Sequence, residues 1–246
     1  MHNLKNKKRL CFLSGYSKIK LFMIKAVLID VDNTLLDFNL SAGAAMKLCC
    51  GKFGITFTEE FLPTFIAIND MLWQKIERGE LTVEELHKIR WNTVFAALKV
   101  SFDGPTFERE FIATLFNTAI PVDGAIDIVR YLSAKYVLCT ASNAIHAQQM
   151  NRLKISGILP FIAHVFDSEE IGVKKPSPQF FEACLKALSP IKKDEIMLIG
   201  DSLSADIAGA ENFGIRSIWF NRSNVPKTDR KIFATVTSLS DIKRIL

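Results

Sequence analysis

The sequence predicts an α/β fold built on a doubly wound, Rossmann-like parallel sheet, with an all-helical segment inserted after the first strand. Short apolar runs typical of buried strands recur along the chain, and helical patterns separate several of them. Residues 39–119 differ, because they show helical periodicity and no convincing strand. Buried strands connected through helices form parallel sheets covered on both faces, so the two observations together indicate this fold class.

Five apolar runs are predicted to be the strands of the sheet. They are residues 26–29, 136–142, 163–166, 196–200 and 217–220. The helices between them carry recognisable start signals. We expect Asp123 to cap a helix over residues 124–135, residues 144–153 to form the next helix, and Ser177 with Pro178 to begin a third over 179–188.

The segment 39–119, called the helical insert below, is predicted to contain four helices. Their expected landmarks are Ser41 and Gly54 near the ends of the first, Thr58 at the start of the second with Pro63 in its first turn, a Thr82–Glu85 capping box opening a third that reaches about Leu98, and a fourth within 107–118. Pro63 leaves the start of the second helix uncertain, since proline interrupts helical hydrogen bonding.

The composition is that of a globular protein whose basic charge is concentrated at the N-terminus. The 246 residues have a net charge of +5, with 49% apolar and 23% charged side chains. Residues 1–22 carry six basic side chains and no acidic one, so removal of those six charges leaves −1. The main body therefore shows no nucleic-acid footprint, and no apolar run is long enough to span a bilayer.

We expect residues 1–22 to be a disordered basic leader. Its apolar residues are interrupted by Ser14, Lys18 and Lys20, which makes a poor signal-peptide core. An alternative is that the working protein begins near Met23. The five cysteines include an adjacent pair and show no metal-type spacing, which indicates a reducing compartment and predicts a cytoplasmic location.

Polar side chains follow the apolar runs where a parallel sheet binds its ligands, beyond the carboxyl ends of the strands. They are Asp30, Asp32, Thr34, Ser142, Asn143, Lys174, Lys175, Asp201 and Asp206. Several carboxylates at one site require a cation, and oxygen ligands without His or Cys suit Mg²⁺. A hydroxyl, backbone N–H groups and a lysine suit a phosphate. Together with a free carboxylate, they predict phosphoryl transfer to a side chain.

These motifs, in this order, resemble those of the haloacid dehalogenase superfamily of phosphohydrolases. The matching segments are "DVDNT", "ASN", "KKP" and "GDSLSAD", and the resemblance extends from about residue 24 to the C-terminus. An EF-hand loop also begins with alternating acids, but it requires Gly where this chain has Leu35. The resemblance implies a Rossmann-like catalytic core of residues 23–38 and 120–246, with residues 39–119 as a helical cap of the C1 type. The segments 36–39 and 117–121 would be its hinges.

The resemblance also implies catalytic and metal-binding roles. Asp30 would be the nucleophile that forms an aspartyl-phosphate, and Asp32 the general acid and then the base. Lys175 would neutralise the nucleophile and the transferring group. Asp30, Asp201 and the carbonyl of Asp32 would hold Mg²⁺, with Asp206 supporting them from nearby. The presence of Asp32 favours phosphate-ester hydrolysis over dehalogenation, because an ester needs a protonated leaving group.

The remaining motif residues would bind the phosphoryl group. Thr34 would orient the first loop, while Ser142 and Asn143 would hold phosphoryl oxygens together with Lys175. Two alternatives stay open. Thr140 competes with Ser142 for the hydroxyl role, and Lys174 competes with Lys175, although the adjoining Pro176 favours Lys175.

Residues 68–91 are similar to the cap of bacterial phosphatases that hydrolyse pyrimidine nucleoside 5′-monophosphates, through "LW", "IERGE", the capping box and "RW". "IWFNR", residues 218–222, adds to this likeness. Individually, Trp73 and Trp91 are expected to pack in the core, and Arg78 and Arg90 to be solvated or paired. Gly79 is expected to end a helix, and no catalytic role is expected for His146.

The resulting hypothesis is a Mg²⁺-dependent phosphatase acting on small phosphomonoesters, most of all nucleoside monophosphates. We expect no nucleic-acid, membrane or obligate protein partner. The alternatives are a sugar-phosphate phosphatase or phosphomutase with the same core, a non-catalytic phosphate-binding protein, and a binder of nucleic acid or anionic surfaces that uses the leader.

Overall fold

The computed structural model describes residues 23–226 and 229–246, so the predicted leader lies outside the described residues. Six parallel strands form one sheet in the order β3-β2-β1-β4-β5-β6. Their bounds are β1 Ala26–Ile29, β2 Val137–Ser142, β3 His164–Asp167, β4 Ile196–Gly200, β5 Arg216–Phe220 and β6 Ala234–Val236. The five predicted strands and the doubly wound fold class are confirmed. Strand β6 was missed because it has three residues, of which only Val236 is buried.

Nine α-helices lie within the described residues. They are α1 Phe38–Phe53, α2 Phe61–Glu77, α3 Val83–Leu98, α4 Gly104–Phe116, α5 Ala125–Ser133, α6 His146–Ile155, α7 Ser168–Ile171, α8 Pro178–Ala187 and α9 Ala208–Phe213. A π-helical turn, Leu203–Ile207, leads into α9. In the described part of the chain, no helix combines the length and hydrophobicity that a bilayer crossing requires.

The sheet is buried on both faces, as the continuous apolar runs predict. Alternate residues of β1 point to opposite sides, with Val27 and Ile29 in one apolar cluster and Leu28 in the other. The first cluster includes residues of α5, and the second includes residues of α8 and α9. The central strand is thus fixed from both sides, and the residue that follows it is held in a defined position.

Helices α1–α4 form the helical insert and share their own apolar cluster. Its centre is aromatic: the ring of Trp91 lies 4.2 Å from that of Phe107 and 5.3 Å from that of Phe65, between ring centroids. Trp91 and Phe65 are fully buried. The packing role expected of Trp91 is therefore observed.

Several helix starts differ from the sequence-based expectation. Helix α1 begins at Phe38, not Ser41, because the Asp37 carboxylate accepts the Leu40 N–H at 2.9 Å. Helix α2 begins at Phe61 rather than at Thr58. Helix α4 begins at Gly104, capped by Asp103, ahead of the predicted range. Other expectations are confirmed, with Gly54 ending α1 in a left-handed conformation and the Thr82–Glu85 capping box opening α3.

Two caps in the sheet-bearing part also differ. Gly124, with φ of 76°, occupies the cap position of α5, so Asp123 does not cap that helix. Ser177 precedes Pro178 at the start of α8 as expected, but its hydroxyl bonds to the Gln179 side chain and not to the helix backbone.

The two chain segments that enter and leave the helical insert pair with each other. The Asp37 N–H donates to the Ile120 carbonyl at 2.7 Å, and the Val122 N–H donates to the Leu35 carbonyl at 2.9 Å. We call residues 35–37 and 120–122 the neck. Arg222 reaches it from the segment after β5, with Nη1 2.5 Å from Asp37 Oδ2. The expected hinge function of these segments stays a prediction.

Candidate active site

The carboxyl end of the sheet brings three acidic side chains together. Asp30 directly follows β1, Asp201 directly follows β4, and Asp206 lies in the π-helical turn. One carboxylate oxygen from each lies within 4.8 Å of the others. Sequence analysis placed Asp206 in a supporting position nearby, whereas the structure places its carboxylate within the cluster itself.

Lys175 is the buried cation at this cluster. It lies in the loop between α7 and α8, and its side chain is 2% exposed. Its ammonium group donates to Asp30 Oδ1 at 2.8 Å, to Asp206 Oδ1 at 2.6 Å and to the Ala141 carbonyl at 2.6 Å. These three bonds use all three N–H donors. Lys175, rather than its competitor Lys174, is thus the lysine that reaches Asp30.

Burial and mutual repulsion shift the ionisation of the cluster. Burial, followed by repulsion from Asp206, raises the pKa of Asp30 to about 7 against the attraction of Lys175. Burial and the carboxylates of Asp30 and Asp206 raise the pKa of Asp201 well above its usual range. Burial opposes the charge of Lys175, but Asp206 and Asp30 outweigh it and raise its pKa above the ordinary value.

The donor set fits a divalent cation. Three carboxylates face one ammonium group, so the ionised cluster keeps an excess of negative charge that a cation would neutralise. The available ligands are carboxylate oxygens, which suit Mg²⁺ better than a soft metal. The hydroxyl of Thr34 donates to Asp201 Oδ1 at 3.2 Å, and the Ser202 N–H donates to Asp206 Oδ2 at 3.1 Å, which fixes both carboxylates in place.

Asp32 faces helix α6 rather than the three-carboxylate cluster. Its Oδ1 accepts from Arg152 Nη1 at 2.6 Å, and its Oδ2 accepts from Gln149 Nε2 at 2.8 Å. Asp32 keeps 31% of its side chain exposed, whereas Gln149 and Arg152 are buried. Sequence reasoning missed both α6 residues. In the sequence, the one indication of them was that two polar residues lie three positions apart, on one face of a short helix.

The hydroxyl at the end of β2 belongs to the same network. Ser142 Oγ accepts from Gln149 Nε2 at 2.9 Å. Thr140, its competitor in the sequence, is fully buried, and its hydroxyl has no hydrogen-bond partner among residues 23–226 and 229–246. The geometry therefore favours Ser142.

Asn143 is placed differently from Ser142. Its side chain donates to the Lys175 carbonyl at 2.9 Å and accepts the Lys175 N–H at 2.8 Å. These two bonds hold the loop that carries Lys175. The contact with a phosphoryl oxygen expected for Asn143 stays a prediction.

The helical insert reaches the site through the end of α2. Glu77, the last residue of α2, lies close enough to the Ser204 side chain, in the turn that carries Asp206, for Ser204 to lower its pKa. Burial is the main cause that raises the pKa of Glu77.

The other insert residues singled out in the sequence lie in packing or ion-pair positions. Arg90 is buried and pairs with Glu108, and Arg78 pairs with Glu80 on the surface. Gly79 follows the end of α2 with φ of 74°. In the sheet-bearing part, His146 pairs with the buried Asp167, with Nδ1 2.5 Å from Oδ2.

Comparison with known proteins gives one family. The model of haloacid dehalogenase-like hydrolases matches residues 24–214. The HAD-hydrolase YfnB of Bacillus subtilis is 30% identical over 206 residues, which cover 82% of this chain and 88% of that protein. A crystal structure of YfnB bound to magnesium superposes with a TM-score of 0.85 at 27% identity, covering 91% of this chain and 98% of that one.

Two further relatives have named activities. The pyrimidine 5′-nucleotidase PynA of Streptococcus pneumoniae is 31% identical, over 80% of this chain and 84% of that protein. The pyrimidine 5′-nucleotidase YjjG of Escherichia coli is 24% identical, over 89% of this chain and 96% of that protein.

Proposed function

The chain belongs to the haloacid dehalogenase-like hydrolases, and from this premise we propose that it is a Mg²⁺-dependent phosphatase of pyrimidine nucleoside 5′-monophosphates. The observation that carries the proposal is the position of Lys175, whose ammonium group joins Asp30 and Asp206 beside Asp201. A buried ammonium group among carboxylates is suited to receive a dianionic phosphoryl group, since it attracts the phosphoryl oxygens and compensates part of the carboxylate charge.

In the proposed reaction, Asp30 is the nucleophile. Its Oδ1 accepts from Lys175, so attack on phosphorus is assigned to Oδ2. The bond from Asp30 to phosphorus forms as the bond from phosphorus to the leaving O5′ breaks, which yields an aspartyl-phosphate. Lys175 stabilises the negative charge that develops on the phosphoryl oxygens.

Asp32 is the proposed proton donor in the first half-reaction and the proposed proton acceptor in the second. Its carboxyl group gives a proton to the leaving O5′. Its carboxylate then takes a proton from the water that attacks phosphorus, and the bond from Asp30 to phosphorus breaks, which releases inorganic phosphate and restores the Asp30 carboxylate. Proton transfer of this kind is worth about 10² to 10⁴ in rate. The partial exposure of Asp32 supports this role, because the group must reach both substrate and water.

Mg²⁺ would be held by Asp30, Asp201 and the backbone carbonyl of Asp32, with Asp206 beside them. When bound, it would supply Lewis-acid polarisation of the phosphoryl group and neutralise part of its charge. Ser142 is proposed to bind a phosphoryl oxygen, and Thr34 to orient the loop after β1. Asn143 is proposed to act on the phosphate together with the loop of Lys175 that it holds.

The pyrimidine preference rests on the two nucleotidase relatives and on the helical insert. PynA and YjjG carry this activity in their names, and the matches span most of both chains. Residues 39–119 are proposed to be a cap that selects the substrate, with residues 23–38 and 120–246 as the catalytic core. The proximity of Glu77 to Ser204 supports this assignment of cap and core, since it brings a side chain of the insert next to the acidic cluster.

The test is a comparison of initial rates on UMP, CMP and dTMP with AMP, GMP and hexose phosphates, in Mg²⁺ and after chelation. We expect Mg²⁺-dependent turnover that favours the pyrimidine nucleotides, and no measurable turnover by Asp30→Asn. Asp127→Asn is the matched control, because Asp127 is an exposed aspartate of α5 paired with Arg130. Faster turnover of hexose phosphates would overturn the substrate assignment, and full activity of Asp30→Asn would overturn the mechanism.

We also propose a cytoplasmic location. Cys49, Cys50, Cys139 and Cys184 are buried free thiols, as is usual in a reducing compartment. Isolation under non-reducing conditions, followed by reaction of the denatured protein with a thiol reagent, would check this, with four or more free thiols as the expected result.

A further inference from the structure

We propose that Gln149 and Arg152 of helix α6 are positioning residues that hold the carboxyl group of Asp32 in the orientation needed for proton transfer. This inference rests on the proposed function, in which Asp32 is the general acid and base. It concerns residues outside the four motifs, because both lie on a helix that follows the second motif.

The three side chains form a closed ring of hydrogen bonds. Arg152 Nη1 donates to Asp32 Oδ1 at 2.6 Å, and Gln149 Nε2 donates to Asp32 Oδ2 at 2.8 Å. Arg152 Nη1 also lies 3.4 Å from Gln149 Oε1, which closes the ring. One donor on each oxygen fixes the plane of the carboxyl group, and each oxygen has a second lone pair that stays for a proton or for substrate.

Gln149 also sets the distance between Asp32 and the proposed phosphate-binding hydroxyl. Its amide nitrogen has two N–H groups, and one donates to Asp32 while the other donates to Ser142 Oγ at 2.9 Å. The amide therefore bridges the group that would bind phosphate and the group that would protonate the leaving oxygen. A bridge of this kind fixes the direction of Asp32 relative to the phosphorus.

Stability alone gives a poor reason for Arg152. The Arg152 side chain is 2% exposed, and its carboxylate partner is partly exposed. Its Nε donates to the Thr118 carbonyl at a long 3.4 Å, and its Nη2 is buried without a hydrogen-bond partner in the described part of the chain. Burying a charge with incomplete pairing costs free energy. A buried arginine with a structural role in this chain has a more complete set of buried hydrogen-bond partners.

Arg90 provides that comparison. It donates to both oxygens of Glu108, at 2.6 and 3.2 Å, and its remaining Nη1 donates to Asn69 at 2.9 Å. Glu108 and Asn69 are themselves buried. Arg90 thus completes an internal network, whereas Arg152 directs its short bond at a side chain that opens to the site. The contrast supports a role for Arg152 in function rather than in packing.

The test uses leaving groups of different basicity. A nitrophenolate leaves without protonation, whereas the 5′-alkoxide of a nucleoside requires a proton from the general acid. We therefore compare kcat/KM for p-nitrophenyl phosphate and for UMP, within single preparations of Gln149→Met and Arg152→Lys. The ratio of the two values is independent of the fraction of protein that is folded, so partial misfolding does not affect it.

We expect the UMP value to fall at least about 10-fold more than the aryl phosphate value in each variant, a fraction of the whole general-acid contribution. Gln148→Met is the matched control, because Gln148 is the preceding glutamine on the same helix and is only half buried. Its ratio should stay within about twofold of the wild type. Asp32→Asn should show the same selective loss more strongly, and adding Arg152→Lys to it should change the ratio little, since the two residues act as a unit.

The outcomes separate this inference from the proposed function. Equal losses on both substrates in Gln149→Met and Arg152→Lys, with a selective loss in Asp32→Asn, would overturn the positioning role and leave the function intact. A wild type that hydrolyses neither substrate would overturn the function itself. An Asp32→Asn variant that loses both activities equally would overturn the acid role, and with it the inference.

Discussion

The carboxyl group of Asp206 lies directly against the backbone of Gly200. A Cβ added at Gly200 would lie 2.3 Å from both Cγ and Oδ2 of Asp206, closer than real Cβ atoms approach other atoms. Only glycine leaves room at the end of β4 for a carboxylate that also accepts from Lys175. Because Gly200 has no side chain, the Asp206 carboxylate can take its place in the acidic cluster.

Gly200→Ala should therefore displace Asp206 and impair both folding and turnover. Overpacking of this kind costs about 1 to 3 kcal/mol in unfolding free energy. Urea unfolding and kcat/KM on UMP measure the two effects. Gly51→Ala is the control, since a Cβ added at Gly51 in α1 would meet no atom within 4 Å beyond its chain neighbours and its own helix backbone. Alanine there should stabilise the helix by about 0.5 to 1 kcal/mol. A Gly200→Ala variant as stable and active as the wild type would contradict the close contact.

Lys175→Met should remove the charge compensation of the cluster. Loss of one partner of a buried ion pair costs about 3 to 5 kcal/mol, although protonation of the carboxylates offsets part of it. We also expect kcat on UMP to fall at least about 100-fold, because electrostatic stabilisation of this kind is worth several kcal/mol. Lys174→Met tests the neighbouring lysine, which is half buried, and it should keep wild-type stability and rate. Similar losses in both variants would contradict the assignment of Lys175.

Mg²⁺ affinity should increase with pH. The pKa of Asp30 is raised to about 7 and that of Asp201 is also raised, so below neutrality the unbound cluster holds protons that Mg²⁺ must displace. Calorimetric titration at pH 6 and pH 8, in buffers of different ionisation enthalpy, should show weaker binding and proton release at pH 6. Equal affinity at both pH values without proton release would show that the carboxylates are already ionised.

Glu108→Gln should destabilise the helical insert more than a surface substitution of the same type. Arg90 would keep its charge in the core without its carboxylate partner, at a cost of about 3 to 5 kcal/mol. Glu110→Gln is the matched control on the same helix, because Glu110 pairs with the exposed Lys52 and such pairs contribute about 0.2 to 1 kcal/mol. Chemical unfolding measures both. Comparable values for the two variants would mean that Asn69 and the rings of Phe65 and Phe111, 5.5 and 5.3 Å from the guanidinium carbon, compensate the charge of Arg90 without the carboxylate.

The pair formed by His146 and Asp167 should make stability depend on pH. The hydrogen bond that His146 donates to the Asp167 carboxylate raises the pKa of His146, so the folded protein holds this proton more tightly than the unfolded chain does. The stabilisation is complete below the unfolded histidine pKa, about 6.5, and is lost as pH rises through the higher folded value. His146→Gln should therefore lower Tm at pH 5.5 and have a smaller effect at pH 9. An equal effect at both pH values would contradict this linkage.

The sequence was sufficient to predict the residues that follow the strands, because a parallel sheet collects them at one edge. Asp30 and Asp201 come together for this reason, and Lys175 reaches them from the loop between α7 and α8. Asp206 was harder to place, since its distance from the cluster depends on a π-helical turn and on the missing side chain of Gly200. Neither feature has a periodic signal in the sequence.

The network on α6 could not be predicted for a different reason. Gln149 and Arg152 are polar residues on a helix with no strong apolar face, so their burial depends on how α6 packs against the loop after β1.

Helix caps were missed where two nearby residues were both suitable as the cap. Asp37 begins α1 although Ser41, four residues later, is an equally good cap by residue type. The Ser41 hydroxyl oxygen instead accepts the Ile120 N–H at 3.1 Å.

The neck has a consequence for how such proteins can diversify. Because residues 35–37 and 120–122 are hydrogen-bonded to each other, the two ends of the intervening chain lie side by side. Exchange of this segment between relatives needs two junctions that are adjacent in space, and it leaves every strand of the sheet untouched. Recombination at those two junctions would therefore replace the whole helical insert and leave the acidic cluster at the carboxyl end of the sheet unchanged.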